Sequence, residues 1–500
     1  MITRLTPETP VALTGRNSAA RFAAAAVFLL GCFTVGVFAV RSTTEGLMLI
    51  GALGCFVVYL TGPQRMAWIA MFLAFASLPA LHLVKQIGPL SVYAYQVAVL
   101  LAILFLIPVA RLRFSRYAVP LIFLLAVFFF TAMGTVWGND PDRTFREASF
   151  LCEMAAGFVL ALLVVRAGFA SESVRAMSVV LWFSAGMVMV SSLTGLQLAG
   201  RAESLQGETG VAAMRIITAT QAPALAVLTA LVVAQILGRA KLSAWLALGL
   251  PAFTITALSF SRHALLALAV AAVVAIAAKF SWAVIRRTAV VAVAAIAVVA
   301  AVIPAALFLL QRSPAGIWLS EQLNAFSHRV FDGVSTTALE ADSSTLARLH
   351  ENTNLWRAIA ESPLFGHGLG YAYQLPFGRP GDFTATLGTT YAHNFYLWLL
   401  VKAGIVGIAV FALFALIPVV RAVRAAAAEA TIAAAVSAGL LVTCVVNPLP
   451  LEPASALVLG MALGAAMAFS RSAAAVPSAA ALAGQPPAPS TVPTAAQTSG

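Results

Sequence analysis

Long apolar stretches alternate with short polar ones along most of the chain. Each apolar stretch is roughly 17–24 residues long, about what an α-helix needs to cross a bilayer. One helix per stretch predicts fourteen spans, at 23–40, 46–62, 66–82, 91–108, 118–136, 148–165, 176–197, 220–237, 243–258, 263–279, 288–310, 394–418, 430–446 and 453–469. Runs 243–258 and 263–279 are short and separated by Arg262, so the expected count is about 12–14. One region breaks the pattern. Residues 311–392 are polar and rich in His, Trp and Tyr. Within them Leu346, Leu349, Leu355, Trp356 and Ile359 recur at helical spacing, which predicts an amphipathic helix over 345–362. Pro363 ends it, and Gly366, Gly368 and Gly370 follow in a turn-rich stretch. The end of the sequence is rich in Ala, Pro and Ser and cannot bury a core. The expected architecture is therefore an all-α, polytopic transmembrane bundle: helices 1–11 in residues 1–310, a large loop with short helices in 311–392, helices 12–14 in 393–470, and a disordered tail in 471–500.

Composition supports this reading. The chain is 61% hydrophobic and only 10% charged, whereas soluble domains are about 25% charged. A soluble enzyme, a disulfide scaffold and a disordered chain are excluded. The net charge of +12 is scattered between apolar runs rather than gathered into a basic groove, so it reads as topology signal and not as nucleic-acid binding. With the N-terminus in the cytoplasm, the cytoplasmic loops collect most of the Arg and Lys, with Arg111, Arg113 and Arg116 as the strongest anchor. The same alternation puts 311–392 and the tail on opposite sides, the loop on the periplasm-like face. Arg4, Arg16 and Arg21 precede the first run without an obvious cleavage site, which predicts a retained first helix. Cys32, Cys55, Cys152 and Cys444 all lie inside apolar runs with no CxxC pair, which favours packing over disulfides or zinc. No long internal repeat supports an inverted-repeat transporter.

Charges close to the apolar region are costly and therefore informative. On the outer face these are Asp140, Asp142, Arg143, Arg146, Arg215, Arg262 and Arg348; Glu153 and Lys402 fall inside spans. A guanidinium is a planar fork of donors suited to phosphate oxygens, so several at one surface would suit a lipid-linked pyrophosphate. Snorkelling and helix-end anchoring are the alternative for each one taken alone. The six histidines form no HExxH motif or His/Cys cluster, and no metal or other cofactor is expected. His393 stands apart, where the polar loop meets the next span in Tyr391-Ala-His393-Asn394-Phe-Tyr-Leu-Trp398. Its imidazole is suited to take a proton from a sugar hydroxyl; an interfacial helix-start residue is the alternative.

The order Arg348, Trp356, Pro363-Leu-Phe-Gly366-His-Gly368-Leu-Gly370, then His393-Asn394-Phe-Tyr-Leu-Trp-Leu-Leu-Val-Lys-Ala-Gly404-Ile-Val-Gly407 resembles the signature region of the O-antigen ligase and O-antigen polymerase superfamily. Upstream, Ser259-Phe-Ser-Arg262-His-Ala-Leu-Leu-Ala-Leu resembles a helix start of that family; Arg215 to Ala226 resembles its Arg-containing segment, with 217–223 replaced. The resemblance covers about residues 213–410. It implies a metal-independent transferase in the bacterial inner membrane, acting at the periplasmic face. The donor would be a glycan on undecaprenyl pyrophosphate, and the acceptor lipid A-core or a growing polysaccharide. It makes His393 the candidate catalytic base and Arg215, Arg262 and Arg348 the candidate pyrophosphate ligands, with Asn394, Tyr391 and Arg146 in support. Ligase and polymerase share these motifs, with a slight preference for ligase. A lipid-linked oligosaccharide transporter, the competing class, predicts ionisable groups lining a mid-span path.

Overall fold

The computed structural model of the chain describes residues 36, 51, 54–79, 84–87, 90–110, 112, 114–205, 213–327, 343–376, 385–425 and 427–472. The expected span 23–40 apart from residue 36, residues 46–50 and 52–53 of the expected span 46–62, and the expected tail beyond 472 lie outside the described residues. The chain divides into two compact units, residues 1–66 and 67–500. In the first, residues 54–61 are helical. Helix α1 covers Pro63–Phe75.

Among the described residues, the rest is mainly helical, with two short hairpins. Strands β1 (Val84–Ile87) and β2 (Leu90–Tyr93) pair antiparallel and lead into α2 (Ala94–Ala110). Helices α3 (Ala118–Val136), α4 (Pro141–Arg166) and α5 (Ala170–Thr194) follow. The second hairpin, β3 (Gly200–Ser204) with β4 (Met214–Thr218), precedes α6 (Gln221–Ile236), α7 (Leu242–Leu258) and α8 (His263–Ala278). Then come α9 (Trp282–Leu310), α10 (Pro314–Phe326), α11 (Ser343–Glu361), α12 (Phe395–Arg424), α13 (Ala428–Thr443) and α14 (Ser455–Ser472). Among the described residues, α3, α4, α5, α9 and α12 are long and apolar enough to cross a membrane, and six shorter helices are similarly apolar.

The apolar runs thus mark the helices closely. Helix α3 has the expected bounds, and the two short runs around Arg262 form separate helices, α7 and α8, divided by a turn at 259–262. Helix α4 starts at Pro141 rather than 148, because the Asp140 carboxylate accepts the Asp142 N–H at 3.0 Å and Pro141 is preset for a first helical position.

Apolar side chains cover the outside as well as the inside. On α3, Phe123, Val127 and Phe130 are buried, while Ile122, Leu125, Phe128 and Phe129 are exposed. Such a surface suits lipid, which removes the hydrophobic drive between helices and leaves close packing to join them. The closest example joins α4 to α14. A Cβ on Gly460 would stand 1.9 Å from the Met154 carbonyl oxygen, one on Gly464 2.2 Å from that of Phe158, and one on Gly157 2.3 Å from that of Leu457. Gly460-Met-Ala-Leu-Gly464 is a GxxxG stripe that lets two backbones touch.

The β3–β4 hairpin occupies the connection between the expected spans 176–197 and 220–237. Alternation along Met214–Thr218 buries Ile216 against Val188, Leu198 and Leu258, while Arg215 faces the other way, opposite Glu203. Below it, the Ser77 hydroxyl lies 2.7 Å from that of Thr218 and 2.8 Å from that of Thr220, and Thr220 donates to Ser184 at 3.0 Å. These buried hydroxyls tie the base of the hairpin to α5.

Candidate functional site

The glycine-rich stretch after α11 is a clamp on α12. At Gly404 the backbone takes φ 60°, breaking the helix and freeing backbone groups on either side. The loop satisfies them. His367 and Gly368 N–H donate to the Val401 and Lys402 carbonyls at 2.8 and 2.9 Å, and Ile405 and Val406 N–H donate to the Pro363 and Leu364 carbonyls at 2.9 and 3.2 Å. Gly366 and Gly368 have positive φ and no room for a side chain: a Cβ would lie 2.5 Å from the Lys402 carbonyl carbon and from Gly134 Cα respectively. Beneath the clamp, fully buried Lys402 donates to the Glu147 carboxylate and to the Tyr371 carbonyl, each at 2.7 Å. Glu147 also accepts the Gly370 N–H at 2.6 Å, so every strong partner of this pair is protein.

The clamp fixes α11 against the start of α12, and that brings the central pair together. The Asn394 side chain caps α12, accepting the Tyr396 and Leu397 N–H at 3.0 and 3.2 Å, which places His393 just ahead of the helix. Glu351 meets it from α11. One carboxylate oxygen accepts the His393 backbone N–H at 2.7 Å and the other lies 2.9 Å from Nδ1. Both carboxylate oxygens thus hold one residue. With Nδ1 donating to the carboxylate, the proton-accepting lone pair is on Nε2. The Glu351 side chain is 9% exposed and that of His393 34%, so the orienting group is shielded and the imidazole is reachable.

The loop before His393 is equally fixed. Tyr373 donates to the Tyr391 carbonyl at 2.6 Å, Trp398 Nε1 to the Thr390 carbonyl at 2.9 Å, and Arg143 to the Thr389 hydroxyl at 2.8 Å. The Tyr391 ring stands edge-on to the imidazole, with centroids 5.4 Å apart. Burial pushes the Tyr391 hydroxyl well above its ordinary pKa; Glu452 and Glu351 push the same way, against Arg348 and Arg201.

The arginines come from three different elements. Arg215 on β4 donates from Nε to the Ser259 carbonyl at 3.0 Å and pairs with Glu203 at 3.1 Å. Glu203 also pairs with Arg201, whose side chain is largely exposed. Arg262 is exposed in the turn that includes Ser259, so the Arg215–Ser259 contact joins the two arginine-bearing segments. Arg348 is exposed one turn before Glu351 on α11, and its charge, like that of Arg215, reaches His263 at the start of α8. Glu452 stands on the α13–α14 connector, anchored where the Ala454 N–H donates to Glu153 at 3.3 Å and where the Phe395 N–H donates to the Cys444 carbonyl at 3.0 Å. Burial raises the Glu452 carboxyl pKa, opposed by a hydrogen bond from Ser455 and by the charges of His393 and Arg215.

His393, Tyr391, Arg215 and Arg348 therefore share one electrostatic neighbourhood, with Arg262 on the adjoining turn. Asn394 belongs to it as a helix cap. Arg146 lies on α4, where its charge acts on Glu147 and Lys402 beneath the clamp. Glu351, Glu452, Glu203 and Arg201 were not singled out from the sequence. For Glu351 a signal was present. It shares the buried face of α11 with Asn354, Leu355, Ala358 and Ile359, whereas Leu349 and Trp356 of the expected apolar stripe are exposed. An acid on a buried stripe needs a partner. Among the described residues, no three His, Cys, Asp or Glu side chains come together as a metal-binding group.

Compared with known proteins, residues 247–412 match the family model described as O-antigen ligase. The match runs from within α7 to within α12 and includes Arg262, Arg348, Glu351 and His393; Arg215 and Glu452 lie outside it. No curated protein matches the chain.

Proposed function

With residues 247–412 placing this multi-pass membrane protein in the O-antigen ligase superfamily, we propose that it transfers a glycan from undecaprenyl pyrophosphate to a hydroxyl of lipid A-core. Transfer takes place at the periplasmic face of the bacterial inner membrane, with the 311–392 loop on that side. The observation that carries this reading is the His393–Glu351 pair, 2.9 Å apart, with Arg348 one turn before Glu351 on α11 and with the charges of His393 and Arg215 both reaching Glu452.

In this mechanism His393 is the catalytic base. Glu351 holds Nδ1 and stabilises the imidazolium that forms, and Nε2 takes the proton from the acceptor hydroxyl. The acceptor oxygen bonds to the anomeric carbon as the bond from that carbon to the diphosphate oxygen breaks. The electron pair leaves with undecaprenyl pyrophosphate, and attack from the opposite face inverts the configuration. Arg215, Arg262 and Arg348 take the charge that grows on the leaving diphosphate, so guanidinium groups fill the role that a metal ion fills in other phosphate sites. Arg215 is held in advance by Glu203 and the Ser259 carbonyl, which lowers the cost of ordering it.

The mid-span charges support an interfacial reaction over a transport path. Lys402 is satisfied by Glu147 and Tyr371, and Glu153 by Tyr95, Gln96 and the Ala454 N–H. The deciding experiment incubates purified protein with undecaprenyl pyrophosphate-linked glycan and either lipid A-core or a second lipid-linked repeat. Glycan on lipid A-core supports the ligase reading, and lengthened lipid-linked chains make the protein a polymerase. No transfer to either acceptor would overturn the enzymatic proposal.

A further inference from the structure

A cavity of about 280 Å³ opens on α11 beside the pair just described, lined by His350, Asn354, Arg357, Gln374, Leu375 and Pro376. His350, Asn354 and Arg357 follow one another at three- and four-residue steps, so they share one side of the helix. The cavity is prearranged. Asn354 is buried and donates to the Gln374 side-chain oxygen at 3.1 Å, and Gln374 in turn donates to the Gly388 carbonyl at 2.7 Å. With the Asn354 amide group and the Gln374 amide group turned to each other and to the backbone, the Asn354 oxygen is left as an acceptor for a hydroxyl. Arg357 adds a forked donor, and the lining contains no acid.

The position is as informative as the lining. Asn354 lies one turn beyond Glu351 on the same buried face of α11, and side chains so related are about 5–6 Å apart. Glu351 holds His393, so the cavity starts one helical turn from the carboxylate that orients the imidazole the mechanism uses.

Resting on that mechanism, we propose that the His350–Asn354–Arg357 face of α11 with Gln374 is an acceptor subsite for an anionic sugar, one bearing a phosphate or a carboxylate. The Arg357 fork pairs with the anion, and the Asn354 oxygen accepts from a neighbouring hydroxyl. Such a sugar occurs in a phosphorylated core oligosaccharide and also in a uronate-containing polysaccharide repeat.

The test uses the full chain in lipid nanodiscs and two readouts. The first is direct titration with glucuronate, glucose 6-phosphate and glucose. Binding of either anionic sugar, at least tenfold tighter than glucose and lost in Arg357→Gln, is the expected result; it requires no transfer activity and so stands or falls apart from the proposed reaction. Equal affinity for glucose, or Arg357→Gln binding like wild type, overturns the subsite. The second readout is steady-state transfer to phosphorylated core or to a uronate-bearing repeat. Arg357→Gln and Asn354→Ala should each raise the acceptor KM about tenfold, which is about 1.4 kcal/mol, with kcat and donor KM unchanged. The acceptor whose KM responds identifies the source of the sugar. A fall in kcat alone, or a response in donor KM, would sink the proposal.

Discussion

Two acid–base pairs of nearly equal length occupy opposite circumstances in this protein. Lys402 and Glu147 lie 2.7 Å apart, out of reach of solvent, with the Tyr371 carbonyl and the Gly370 N–H as their other partners. His393 and Glu351 lie 2.9 Å apart, but the imidazole is one-third exposed, and the charges of Arg348 and Arg201 reach the neighbouring Tyr391. In the first pair both charges are buried and bonded to each other and to the backbone of the glycine stretch, so the pair locks the glycine clamp to α4. In the second, the carboxylate is committed and the base is accessible. A charge in a membrane protein is therefore not a functional sign in itself; what separates these two pairs is exposure, one being sealed inside the helices and the other keeping its imidazole partly open to the outside.

The comparison can be broken most decisively at His393. His393→Ala should lower transfer about 10²–10⁴-fold, the usual range for a general base, while the protein still inserts and keeps its thermal stability. Product from lipid-linked donor at the wild-type rate would remove the imidazole from the chemistry. At the buried pair the effect should be the reverse. Lys402→Met leaves Glu147 without its partner and should cost about 3–5 kcal/mol of stability, read as a lower midpoint of detergent unfolding. Adding Glu147→Leu should recover part of that loss; no recovery would mean that the two residues do not act as a pair.

Glu351→Gln retains an acceptor for Nδ1 but removes the charge that stabilises imidazolium. A fall of about 10²-fold in kcat with little change in either KM is expected, and a change confined to acceptor KM would assign Glu351 to binding instead. Arg262→Lys replaces a forked contact by a point charge and should weaken donor affinity about tenfold, or about 1.4 kcal/mol. Unaltered donor affinity would make Arg262 an anchor of the turn before α8. The smallest effect belongs to Asn394→Ala, which deletes the cap of α12 and should cost about 1 kcal/mol of stability. Activity should fall modestly through His393, and Asn394→Ser should restore it.

Much of the architecture was legible because a bilayer imposes one length on every helix. The bounds of α3, the break between α7 and α8 and the helix α11 all follow from runs of apolar residues and their breakers. The GxxxG stripe at Gly460 and Gly464 was not singled out from the sequence, and only packing shows that it meets α4. His393 was noticeable as a histidine at a loop–helix junction. Glu351 was harder, because the apolar stripe on α11 was taken to include Leu349 and Trp356, which are exposed. Arg215 was taken as part of a helix approach, whereas cross-strand pairing sets it opposite Glu203.

Local sequence thus determined which segments are helices, where they break and which residue types border the membrane, because those properties depend on neighbours within a few turns. Tertiary structure alone decided the partners: Glu351 with His393 across 42 positions, Lys402 with Glu147 across 255, and the Ala454 backbone with Glu153 across 301. No periodicity encodes such distances. They arise when helices pack closely enough for backbones to touch and a buried charge must find whatever opposite group the neighbouring helix presents.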